Sequence, residues 1–268
     1  NGLIIWYQKE LDNPPFELSG LFSNANYAGL WLNITLPFCL AYLLKNVNSL
    51  LKRNLIFFQI LLIIFCIVIT NSRAAWGGIL LSIILIFGRK SLLFVSLGLF
   101  ILITTITLCI FPIFGEGIQT FFQDIIPNNF WLEFSNQNFD SRDLRIDIWQ
   151  NSIEIIKKNP IFGIGAATFP ILMEGTLKNT VTHSHSLPLE IAIKYGLPTM
   201  FLLIGIISSL TFMASKKIYF SSYFYNREEI FDKAWISVLI ILIASHFFDI
   251  QYFDGRISIA SWILIAGT

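Results

Sequence analysis

The 268-residue sequence is 55% hydrophobic and 13% charged, with 18 Lys and Arg against 17 Asp and Glu for a net charge of +1. A soluble domain carries roughly 25% charged residues, and a mean hydropathy of +0.68 also argues against one. The charge balance says little about partners; what matters is which loops hold the charges.

Seven spans are predicted from runs of apolar residues, judged against the about 20 residues a helix needs to cross a bilayer. They run from about Gly20 to Leu44, Leu55 to Thr70, Ala74 to Gly88 (a short one) and Ser91 to about Phe114. The series continues with Leu197 to Ala214, led into by a shorter apolar segment from Leu187 to Tyr195, then Ala234 to Ile250 and a seventh beginning near Ile257. The first residue is Asn1 rather than Met and the chain stops within an apolar run, so the sequence reads as an internal piece of a longer protein. The lack of a signal peptide is then uninformative. Cys39, Cys66 and Cys109 lie in apolar runs without partner spacing and read as small buried hydrophobes.

Charge placement sets orientation. Lys45, Lys52 and Arg53 follow the first span, Arg89 and Lys90 the third, and Lys216, Lys217, Arg227 and Lys233 the fifth. These are alternate loops, which the positive-inside rule puts in the cytoplasm. The other short loops hold only Lys9, Arg73 and Arg256. The expected fold is all-α, a polytopic transmembrane helix bundle. Residues 1–114 hold about four spans, 115–186 a long outer (periplasmic) loop containing amphipathic helices, and 187–268 about three spans with the last truncated.

One helix is well marked in that loop. Asp140 or Ser141 is placed to cap it, Ile146, Trp149, Ile153 and Ile156 form an apolar stripe, and Asn159-Pro160 stops it. Arg142 and Arg145 fall at its start. Arg73, between two spans with almost no loop, is either an interfacial anchor or an anion site. His183 and His185 sit where the loop re-enters the membrane. No cysteine is near them and the nearby acidic residues follow no ligand spacing, so no metal site is expected. That leaves structural hydrogen bonding or acid–base work. His246 and Asp249, spaced i, i+3 near the outer end of the sixth span, are either a functional pair or a satisfied interhelical hydrogen bond.

Arginine grips phosphate with a planar fork and stays charged, and a lipid pyrophosphate presents its head group at this depth. A pyrophosphate leaves as a stable anion, so arginines alone could neutralise it, while a histidine takes a proton from an attacking sugar hydroxyl. Those parts suffice for glycosyl transfer from a polyprenyl-pyrophosphate sugar, with inversion.

Four motifs, in order, resemble the O-antigen ligase and O-antigen polymerase superfamily. They are Gly20-Leu-Phe-Ser-Asn-Ala-Asn26 followed by Tyr-Ala-Gly; Asn71-Ser-Arg-Ala-Ala75; and Arg145-Ile-Asp-Ile-Trp149 with Asn159-Pro-Ile-Phe-Gly-Ile-Gly165. The fourth, and most specific, is His185-Ser186, nine residues, then Gly196-Leu-Pro-Thr199. The resemblance implies a metal-independent membrane glycosyltransferase without cofactors. His185 would be catalytic, Arg73 and Arg145 would hold the donor pyrophosphate, and Arg142, His183, His246 and Asp249 are secondary candidates. The implied partners are an undecaprenyl-pyrophosphate-linked glycan, lipid A–core or another glycan acceptor, and membrane lipids, with no nucleic acid. The implied location is the bacterial inner membrane, and ligation is favoured over polymerisation. The superfamily also includes proteins labelled as bicarbonate transporters, a reading that would need charges deeper in the spans.

Overall fold

A computed structural model describes residues 19–45, 49–126, 139–174, 181–220 and 230–268, without the side chains of 89–90, 139–144 and 220. The protein is all-α. Its helices are α1 (Ala25–Leu44), α2 (Leu50–Ile69), α3 (Arg73–Phe87), α4 (Arg89–Ile110), α5 (Glu116–Ile125) and α6 (Phe139–Lys158). They continue with α7 (Thr168–Met173), α8 (Leu187–Tyr195), α9 (Leu197–Ser215), α10 (Ile230–His246) and α11 (Gly255–Ala266). No strand occurs among the described residues.

Four helices are long and apolar enough to cross a membrane: Ala25–Leu44, Leu50–Ile69, Ser91–Ile110 and Leu197–Tyr219. Arg73–Phe87 and Gly255–Ala266 are shorter apolar helices. The chain is therefore a multi-pass membrane protein.

α1 is the axis of the bundle and packs against α2, α3 and α10, while α10 also packs on α3. Half of α1's spanning window is buried, against 6% for α4 and none for α9. The apolar faces of α4 and α9 therefore look outward, where lipid is their natural solvent. Lipid offers no hydrophobic drive between helices, so close approach through small residues must hold them. The α1–α3 crossing shows this. A Cβ on Gly29 would stand 2.6 Å from that of Ala75, and one on Gly78 would strike the Asn33 amide. Asn33, fully buried, donates to the Ala75 carbonyl at 2.9 Å and ties the two helices together.

Several boundaries differ from those expected, for local reasons. α2 begins at Leu50 and takes Lys52 and Arg53 into its first turns. α4 ends at Ile110 rather than Phe114, because Phe111 precedes Pro112 and is extended. The amphipathic α5, unmarked in the sequence, then folds back. Gln119 donates to the Cys109 and Ile110 carbonyls at 3.2 and 3.0 Å, and Gln123 to Cys109 at 2.7 Å. These amides satisfy carbonyls that the end of α4 leaves open. α6 starts at Phe139, so Asp140 and Ser141 lie within its first turn instead of capping it. α10 ends at His246 rather than Ile250, so His246 and Asp249 do not share a helical face.

Candidate active site

The histidines lie on the short segment that enters α8. Between them Ser184 is fully buried and bonded on every side. Its N–H donates to Glu190 Oε2 at 2.9 Å, its hydroxyl to the Ser186 carbonyl at 3.0 Å, and its carbonyl accepts from Trp149 Nε1 at 3.0 Å. Glu190, itself buried, is paired with Lys194 one turn on at 2.7 Å. This clamp fixes the backbone on which His183 and His185 stand, with their ring centroids 4.3 Å apart. His185 has φ +53°, in the left-handed region that few non-glycine residues occupy.

Asp249 faces both rings. It is buried in the turn past the end of α10, with Oδ1 3.3 Å from His185 Nδ1 and 3.8 Å from His183 Nε2. Oδ1 also accepts the Ile250 N–H at 2.8 Å, and Oδ2 accepts from the Asn26 amide at 2.9 Å. The Asn26 oxygen in turn accepts from the Ser72 hydroxyl at 2.7 Å, and its carbonyl accepts from Gln251 at 3.0 Å. Burial raises the Asp249 pKa, but the adjacent imidazoles of His183 and His185 and the Ile250 N–H outweigh it. The carboxyl is held well below the usual carboxylate range. Thus α1, the start of α3, the α8 entry and the turn after α10 meet at one carboxylate.

Of the residues marked in the sequence, the structure brings together His183, His185 and Asp249. His246 is not among them: its Nδ1 is bonded to the Leu242 carbonyl of its own helix at 2.8 Å. Arg73 is exposed and follows Ser72, the α3 cap that anchors Asn26. A cation at a helix N-terminus is opposed by the helix dipole, and Arg73 makes no ion pair among the described residues. Arg145 is half-buried one helical turn before Trp149, the residue that holds Ser184. Arg142 lies on α6, with its side chain outside the described residues. Asn26, Ser72 and Trp149 stand in quoted motifs but only the fold gives them partners, while Glu190 and Lys194 carry no sequence signal that singles them out.

The cluster also reopens the question of a metal. The expectation of no metal site rested on local spacing around the histidines, but Asp249 arrives from 64 residues away. The three residues offer ligand atoms that all lie within 4.8 Å of one another.

Beside this cluster an apolar groove of about 860 Å³ runs between α9 and α10. Its lining includes Trp149, Ser186, Leu189, Phe212, Ile243 and Phe247. The groove therefore touches both the residue after His185 and the membrane helices.

Fold and site together define a multi-pass membrane protein with a buried carboxylate–histidine cluster at one end of its bundle. The O-antigen ligase family model matches residues 58–204, more than half of the chain, and the chain belongs to that family. No curated protein matches it. Membership indicates a membrane enzyme of glycosyl transfer that handles lipid-linked glycans in the manner of O-antigen ligases and polymerases. The match covers Arg73, Arg145 and His185 and leaves out Asn26 and Asp249.

Proposed function

We propose that this protein transfers a glycan from undecaprenyl pyrophosphate to an acceptor hydroxyl at the periplasmic face of the inner membrane, with lipid A–core as the acceptor. The observation that carries the reading is His185, whose Nδ1 faces the buried Asp249 carboxylate at 3.3 Å. With Nδ1–H donated to Asp249, the lone pair is on Nε2, which makes no hydrogen bond with a described residue. That nitrogen takes the proton of the acceptor hydroxyl as the oxygen attacks the anomeric carbon. The bond from that carbon to the pyrophosphate oxygen breaks, and undecaprenyl pyrophosphate departs with the electron pair. Asp249 steadies the imidazolium that forms. Arg73 and Arg145 bind the pyrophosphate through their guanidinium forks and stabilise the departing charge, so no metal is required. Attack from the face opposite the leaving group inverts the anomeric centre. The apolar groove suits a polyprenyl chain, since it starts beside the histidine segment and continues between membrane helices.

The test uses the full-length gene in its own host, deleted and then restored as wild type or as His185→Ala. Deletion and His185→Ala should both leave bare lipid A–core while long glycan accumulates on undecaprenyl pyrophosphate. Core carrying a single repeat would instead identify a polymerase. Unchanged glycans in both strains would remove the glycosyl-transfer reading and turn attention to transport.

A further inference from the structure

His183 and His185 alone are two imidazoles; Asp249 makes them a donor set of the kind transition metals take. Ligands on a tetrahedral Zn²⁺ at about 2.0–2.1 Å stand about 3.4 Å from each other. Asp249 Oδ1 is already 3.3 Å from His185 Nδ1 and 3.8 Å from His183 Nε2. All three ligand atoms fall within 4.8 Å, so small ring rotations would close the set.

The groups behind the ligands fit as well. A metal-bound histidine uses its second ring nitrogen to hold orientation, and a metal-bound carboxylate is itself hydrogen-bonded. Thr182 Oγ1 lies 2.7 Å from His183 Nδ1, which turns Nε2 towards Asp249. Asn26 holds the other Asp249 oxygen at 2.9 Å, and Ser72 holds Asn26 at 2.7 Å. There is also a way in. The His183 and His185 side chains are 20% and 30% exposed, while Asp249 at 4% forms the floor. Two imidazoles and one carboxylate suit Zn²⁺ and its neighbours, whereas Mg²⁺ and Ca²⁺ favour oxygen ligands throughout.

We propose that His183, His185 and Asp249 form a binding site for a divalent transition metal of the Zn²⁺ class, and that occupation of the site switches off His185 as a base. The second half rests on the proposed transfer reaction; the first does not. In the metal-free site the neutral His185 ring carries its proton on Nδ1 and its lone pair on Nε2. A metal ion takes the Nδ1 lone pair, and the single ring proton moves through solvent to Nε2. The ring then presents an N–H to the acceptor hydroxyl and has no lone pair to receive its proton. The metal also replaces the contacts of both histidines with Asp249 Oδ1.

The experiment uses purified full-length protein in nanodiscs, stripped with chelator, and calorimetric titration with ZnCl₂. One site per chain is expected, weakened at least about 100-fold in His183→Ala and restored to within about tenfold in His183→Cys, which returns a zinc ligand. Thermal unfolding of each variant checks that it is folded. Equal zinc binding by wild type and His183→Ala, or no stoichiometric uptake by wild type, overturns the site. Glycan transfer by the wild type should fall at least about tenfold at saturating zinc and return on chelation. Zinc bound with transfer unchanged, or transfer that needs zinc, overturns the switch and leaves the site standing. A protein that binds zinc and transfers no glycan under any condition would overturn the proposed function instead.

Discussion

Asp249→Asn is the most informative substitution at this site. It keeps the side-chain volume and an oxygen for the Ile250 N–H, which now donates at 2.8 Å. The new amide faces Asn26 Nδ2, 2.9 Å away, so Asn26 must flip, and the Ser72 hydroxyl can rotate to accept from it. The packing of α1, α3 and the turn after α10 therefore survives, and what is lost is the negative charge facing His185. A hydrogen bond to a charged group contributes about 1.5–3 kcal/mol. If the imidazolium formed during transfer relies on that charge, turnover falls roughly 10- to 150-fold. Removing the base itself in His185→Ala costs about 100- to 10,000-fold. Residues that act as one unit are not additive, so the double variant should turn over no more slowly than His185→Ala alone. The assay is single-turnover transfer from a lipid-linked glycan to acceptor in nanodiscs, with thermal unfolding followed in parallel. A double variant slowed by the product of the two single effects would refute the idea that Asp249 works through His185.

The arginines should reveal whether planar, forked recognition matters. Arg73→Lys and Arg145→Lys keep the charge but lose the fork, and each should lower kcat/KM for the lipid-linked donor by at least about tenfold in steady-state assays. A variant indistinguishable from wild type would remove that arginine from the donor site. Glu190→Ala leaves the buried Ser184 N–H without its acceptor at 2.9 Å, a loss of about 1–3 kcal/mol. Hydrogen exchange should accelerate in segment 181–186, whereas Glu190→Gln, which retains an oxygen, should show much less effect. Ala244 also lines the groove; filling it with Ala244→Trp should raise KM for a full-length polyprenyl donor severalfold and leave a short-chain analogue unaffected, and equal effects on both donors would exclude the groove as the tail site.

The all-α, membrane-spanning architecture was legible because apolar runs of bilayer length leave few alternatives. Helix ends were less legible, since they depend on local events. Pro112 stops α4 through the residue before it, and α10 closes a turn earlier than its apolar run. His185 stood out through its motif, but its partner did not. Asp249 was paired in the sequence with His246, three residues away, whereas its contact is 64 residues away. The same limit hid Asn26, which meets Asp249 across 223 residues. Spacing reports neighbours along one helix; it carries nothing about which helix ends a bundle brings together.

The reach of that last contact has a consequence for biogenesis. Asn26 leaves the ribosome 223 residues ahead of Asp249, an interval of about 10–50 s at usual rates of synthesis. During it α1 and α3 can dock, with Ser72 already satisfying the Asn26 oxygen at 2.7 Å. The carboxylate that orients the histidines enters only once α10 has been inserted. A chain made only as far as α9 would therefore lack both the α10 side of its core and a working site, and lipid-linked substrate would meet a competent enzyme only after insertion had passed α10.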